Sequence, residues 1–205
     1  MANKIKECQI IALPDGALYG NAPETGGKLL QLVFKNPLIK EAVNNNLNKE
    51  DGLMIGIGSG FTSLIKLGLI ENGSISKINS PSVYMVQNDS GRFVSKMVDV
   101  KLVSNLSPWV SEMELNSTYT TALATKEGRI ILPSRAEKLK NGQIISRFAS
   151  ENPTGSTNDI ESMTSPDGRV FGTISSIDRM GTDLYKNIVR EKQMKIFQSG
   201  IKYFG

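Results

Sequence analysis

The spacing of apolar positions changes several times along the chain, and each change marks an element. Cys8 to Leu13 is a short apolar run that stops at Pro14-Asp15-Gly16, which predicts a strand and a turn. A loop containing Gly and Pro extends to Gly27. From Lys28 to Leu47, Leu29, Leu30, Leu32, Val33, Leu38, Ile39, Ala42 and Val43 recur at helical spacing. Pro37 must kink or divide that helix, and Asn44-Asn45-Asn46 marks its exit. Leu53 to Ile57 has the length and composition of a buried strand. Gly58-Ser59-Gly60 follows as a turn. A helix then runs from Phe61 to about Ile70, ended by Glu71-Asn72-Gly73.

Between Val83 and Pro133 the period falls to two. Val94 to Leu102, Tyr119 to Leu123 and Arg129 to Leu132 read as strands. A short helix is predicted over Ser134 to Lys140. Strands at Gln143 to Ala149 and Arg169 to Ile174 flank a turn-rich connection through Asn152-Pro153-Thr154-Gly155. A last helix, Asp183 to Gly200, carries mixed charges. Parallel-type strands near both ends around a β-rich middle predict an α/β sheet with a β insertion. No linker interrupts the pattern, so residues 1–205 read as one domain.

Composition narrows the chemistry. The chain has 205 residues, 39% of them hydrophobic, which is enough to bury one core. It has no histidine. Every Ser-His or Cys-His mechanism and every His-bearing metal site is thereby excluded. The single cysteine, Cys8, excludes intrachain disulfides and thiolate zinc clusters. The sequence implies no metal and no cofactor. No apolar run reaches membrane-spanning length and the N-terminus has no signal-like stretch, so the default location is the cytoplasm, with no membrane partner. The net charge of +4 is mild, and Lys and Arg are scattered apart from Lys186 to Lys195. That pattern lacks the basic, aromatic-interleaved footprint of a nucleic-acid binder.

A buried strand, a tight Gly56 to Gly60 turn and an amphipathic helix form the geometry of a nucleophile elbow. The residue where a nucleophile belongs is Gly58, which has no side chain. Rival readings of the turn fit poorly. A dinucleotide loop would require glycine where Phe61 stands. Ser59 sits one place late for a hydrolase and has no histidine to deprotonate it. Ser63 and Lys66 have Ser-x-x-Lys spacing without the companion motifs. A purely structural turn remains the plain alternative.

Gly56-Ile57-Gly58-Ser59-Gly60-Phe61, followed by Leu64-Ile65-Lys66-Leu67-Gly68-Leu69, resembles the Gly-Ile-Cys-Asn-Gly-Phe elbow of class I glutamine amidotransferases. More narrowly, it resembles the glutaminase domain of phosphoribosylformylglycinamidine synthase of the long single-chain type. Ser104-Asn-Leu-Ser-Pro-Trp109, Glu127-Gly128-Arg129, Asn152-Pro-Thr-Gly-Ser156 and Ser165-Pro-Asp-Gly-Arg-Val-Phe-Gly172 continue the match. So do Leu184-Tyr-Lys-Asn187 and Ser199-Gly-Ile-Lys-Tyr-Phe204.

The resemblance implies a flavodoxin-like amidotransferase fold with a β-rich insertion, lacking the family's first strand–helix elements. In that family an elbow cysteine attacks the glutamine carboxamide, activated by a histidine that a glutamate orients. The matching positions here are Gly58, Ser176 and Asp178, so no intact catalytic residue is expected. The oxyanion loop matches Pro14-Asp15-Gly16, with the oxyanion positions at Gly16 and Ser59. The resemblance therefore implies an inactive glutaminase-like protein of purine biosynthesis, a scaffold or interaction partner. A synthase subunit or a second copy of the chain is the expected partner. The alternative is a regulatory module that binds glutamine or a nucleotide.

Overall fold

The computed structural model describes residues 1–16, 28–77, 83–133, 142–179, 184, 185, 188 and 193–205. Seven strands form one mixed sheet in the order β1-β2-β9-β8-β7-β4-β5. Its parallel part is β1 (Ile10–Leu13), β2 (Leu53–Ile57) and β9 (Val170–Thr173). From β9 the sheet continues antiparallel through β8 (Ile160–Thr164), β7 (Ile144–Phe148), β4 (Val94–Leu102) and β5 (Thr118–Thr125). The β-rich middle thus extends the parallel sheet sideways instead of forming a separate layer. β3 (Tyr84–Val86) and β6 (Arg129–Ile131) pair in a small antiparallel ribbon. No helix among the described residues is long and apolar enough to cross a membrane.

β1 closes one side of the sheet, and among the described residues no strand pairs with its outer edge. Ile11 and Leu13 point into the core, while Ala12 is exposed and Ile10 half-buried.

Pro37 divides the predicted helix in two. α2 (Lys28–Lys35) ends, and Asn36 caps α3 (Pro37–Lys49) by accepting the Leu38 N–H at 3.1 Å. The asparagine run does not end α3. Asn46 is buried, and its Nδ2 donates to Cys8 O at 2.7 Å, tying α3 to the end of α1 (Ala2–Glu7). Asn44 accepts the Ile75 N–H at 2.8 Å. These side chains serve tertiary bonds and leave the helix backbone intact.

The helix after β2 is broken as well. α4 (Ser59–Lys66) and α5 (Leu69–Asn72) are separated by Gly68, whose φ of 81° no helix interior accepts. β8 lies within the segment that the sequence pattern leaves as a connection, and it is a fully buried strand. Of the helix read over Asp183 to Gly200, the described part is helical only in α6 (Ile196–Lys202), and Leu184, Tyr185, Ile188 and Gln193 to Lys195 are not. Met194 and Ile196 are both buried, and a two-residue spacing would put them on opposite faces of a helix. The short helix read over Ser134 to Lys140 lies outside the described residues.

α4 packs on β2 and β9, and α6 packs on a 3-10 turn at Pro108–Val110. Trp109 in that turn is buried, lies against Gly200 of α6, and donates its Nε1–H to Arg169 O at 3.2 Å.

Candidate functional site

The elbow forms where β2 passes into α4. Gly58 adopts φ 53° and ψ −112°, a conformation costly for a residue with a Cβ. Its N–H donates to Thr173 O at 2.9 Å, anchoring the turn to the end of β9. The approach of α4 to the sheet is close. A Cβ on Gly60 would lie 2.0 Å from Leu13 O, and one on Gly56 would lie 2.6 Å from a Leu64 methyl. The backbone of a nucleophile elbow is therefore present without a nucleophile.

Asp15 fills the space above it. A Cβ at position 58 would lie 2.4 Å from Asp15 Oδ1 and 2.5 Å from its Cγ. The same Oδ1 accepts the Ser59 N–H at 3.0 Å. At an elbow this N–H opens the helix and is the natural donor to a developing oxyanion. Here it is already bonded to a carboxylate of the chain itself. Arg179 adds an ion pair to Asp15 Oδ2 at 3.9 Å. Gly16 closes the loop, donating its N–H to Ser59 Oγ at 3.2 Å and accepting the Ser59 hydroxyl at 3.0 Å.

The structure thus brings Gly58, Ser59, Asp15 and Gly16 together. Ser176 lies three residues beyond Thr173, buried, with its N–H bonded to Ala122 O at 2.8 Å. Among the described residues its hydroxyl has no hydrogen-bond partner, and neither have those of Ser175 and Thr121. Asp178 is exposed in the turn that the Arg179 N–H closes on Ser176 O. It faces solvent and does not contact the elbow through any hydrogen bond or ion pair among the described residues. Cys8 is half-buried before β1, its thiol donating to Ile5 O, and burial pushes the thiol above its ordinary value. It is a poor nucleophile in that state. Among the described residues no group of three acidic or cysteine side chains could hold a metal.

Two groups escaped the sequence reading. Asp15 was placed in the oxyanion loop without its contact to position 58, which spans more than forty residues and leaves no local signal. Glu161 is fully buried behind β9, where it accepts from Ser146 Oγ at 2.5 Å, Thr173 Oγ1 at 2.5 Å and Ser175 N–H at 2.9 Å. Its three donors satisfy a carboxylate that a core would otherwise exclude.

Comparison with known proteins agrees with this geometry. A chain of the structure of PurLQS from Thermotoga maritima superposes with a TM-score of 0.72 at 24% identity, covering 96% of this chain and 80% of that one. The glutaminase domain of Trypanosoma brucei CTPS with bound acivicin gives a TM-score of 0.56 at 13% identity, over 98% of this chain and 74% of that one. Both show the class I glutamine amidotransferase fold. Among curated relatives, the phosphoribosylformylglycinamidine synthase subunit PurQ of Wolinella succinogenes is 26% identical over 176 residues, 85% of this chain and 73% of that protein. PurQ of Thermotoga maritima is 25% identical over 201 residues, 98% of this chain and 82% of that protein. The CobB/CobQ-like glutamine amidotransferase domain matches residues 1–204, and the chain belongs to that family, as a distant relative of PurQ.

Proposed function

We propose that residues 1–205 form one glutaminase-like domain that has lost glutamine hydrolysis and acts as a scaffold or interaction partner of a phosphoribosylformylglycinamidine synthase. One observation carries the loss of chemistry. The Asp15 carboxylate occupies the space a side chain at position 58 would need and takes the Ser59 N–H. A nucleophile at 58 and a carboxylate at 15 exclude one another in this geometry. The hydroxyl of Ser176 is no base near neutral pH, so the position matching the family histidine adds nothing that could activate a thiol.

The synthase partner is supported by relatives that are themselves subunits of that enzyme and by the match to a chain of PurLQS. The outer edge of β1 offers backbone groups to such a partner, or to a second copy.

Incubation of the purified protein with glutamine should release no ammonia above a buffer blank. Ammonia release that disappears when a residue of this chain is altered would overturn the loss of activity. Mixing with a synthase subunit that lacks a glutaminase domain should give a complex on size-exclusion chromatography with light scattering. Two separate monomers at tens of micromolar would overturn the partnership.

A further inference from the structure

At the end of α4 away from the elbow, three lysines on three helices and a fourth beyond α5 line a cleft of about 320 Å3. Lys35 ends α2, Lys40 closes the first turn of α3, Lys66 ends α4 and Lys77 follows α5. Leu67 and Ile75 form an apolar floor, and Ser76 is the uncharged polar side chain among the lining residues. Among the described residues no carboxylate lines the cleft. Among the described residues none of the four lysines takes part in an ion pair.

The walls are held in place. Asn44 of α3 accepts the Ile75 N–H at 2.8 Å, the Ser76 N–H donates to Leu67 O at 3.2 Å, and Asn72 Nδ2 donates to Ser76 Oγ at 3.0 Å. The Ser76 hydroxyl proton stays available to a ligand.

Helix electrostatics explains only half of this charge. Lys35 and Lys66 sit at helix C-terminal ends, where cations are favoured. Lys40 sits at the opposite, positive end of α3, whose first turn has no acidic residue to offset it. Lys77 lies on no helix. Four like charges around one concave place raise the local positive potential there.

We infer that this cleft binds a phosphorylated small molecule carrying two or more negative charges. Ammonium groups on flexible stems suit phosphate oxygens, which need charge more than fixed geometry. The apolar floor can take the non-phosphate part of the ligand. The volume fits a metabolite. Among the described residues no aromatic side chain lines the cleft to stack the bases of a nucleic-acid strand.

Titration calorimetry of the full chain with sodium pyrophosphate at low salt tests the inference. Saturable binding is expected, weakened about tenfold or more by the pair Lys40→Gln and Lys77→Gln. Ser76→Phe should weaken it comparably, because it obstructs the cleft with every charge kept. Lys101→Gln, an exposed lysine on β4, should leave it unchanged. Absence of binding, or binding that Lys101→Gln reduces as much as the cleft variants do, overturns the inference. A short oligothymidylate that binds more tightly than pyrophosphate and is lost in the cleft variants would overturn it in favour of nucleic acid.

Discussion

At the N-terminal end of α4 the Ser59 N–H meets a carboxylate that the chain itself supplies, whereas at the C-terminal end Lys66 joins three other lysines with no acid among the described lining residues. The first end keeps the geometry of a reactive site and has its anion built in. The second has no inherited motif and leaves its charge uncompensated. The contrast separates two properties usually found together: a backbone shaped for chemistry, and an open demand for a ligand. On this helix they stand at opposite ends.

The largest expected effect tests whether the elbow is rigidly packed. Gly60→Ala would place its methyl 2.0 Å from Leu13 O, a backbone atom that cannot rotate away. Urea denaturation should show a loss of about 3 kcal/mol or more. A loss within about 0.5 kcal/mol would mean that α4 and β1 are not as close as described.

Next comes the exclusion between positions 58 and 15. Gly58→Cys should destabilise by about 1–3 kcal/mol, from the positive φ and from contact with Asp15. Asp15→Gly in the same chain should recover part of this, a favourable coupling of about 1 kcal/mol in a double-mutant cycle. Strict additivity would show that the carboxylate does not obstruct the elbow. The pair Gly58→Cys and Ser176→His should still not give family-like glutamine turnover, since the new side chain at 58 meets the Asp15 carboxylate that also competes for the Ser59 N–H.

Asp167 gives the comparison a reference carboxylate. Burial works against its charge, but bonds from Ser165 Oγ and from the Arg169 N–H and guanidinium outweigh it and hold the group below its ordinary value of 3.8. A depressed folded-state value means that its stabilisation is complete at neutral pH and fades as pH falls from about 4 through that lower value. Asp167→Asn should therefore cost less than about 1 kcal/mol at pH 7, given the partial exposure of the pair. The difference from wild type should close in acid. A cost that grows on acidification would reverse the sign of the argument.

The smallest effect belongs to the lysine cleft without ligand. Lys40→Gln removes a cation from the positive end of α3 and from its like-charged neighbours. It should stabilise the free protein by about 0.3–0.5 kcal/mol at low ionic strength, and salt should erase the gain. Destabilisation would mean that Lys40 has a partner and that the cleft is not charged as described.

Much of this architecture was legible in the sequence for local reasons. β2, the turn at Gly58 and the start of α3 at Pro37 follow from short apolar runs and from residues with few backbone options. β8 was illegible because its five buried residues, Ile-Glu-Ser-Met-Thr, are mostly polar and draw their partners from other strands. α1 was missed because it buries a single residue, Ile5, and so has no stripe to detect. At the site, position 58 could be read from the motif alone. What covers it could not, since Asp15 reaches Ser59 only once β1 lies beside β2.

Trp109, the single tryptophan of the chain, stands where α6 meets the body of the protein. Its indole is shielded by Gly200 on one side and tethered to Arg169 O through Nε1. Intrinsic fluorescence excited in the indole band therefore reads the seating of the C-terminal helix and little else. If α6 lifts away while the sheet stays folded, emission shifts to the red and quenchers gain access, with no change in the circular dichroism of the strands. Variants at Gly58 or Asp15 should leave that emission where it is, so one optical signal tells release of the C-terminus apart from disturbance of the elbow.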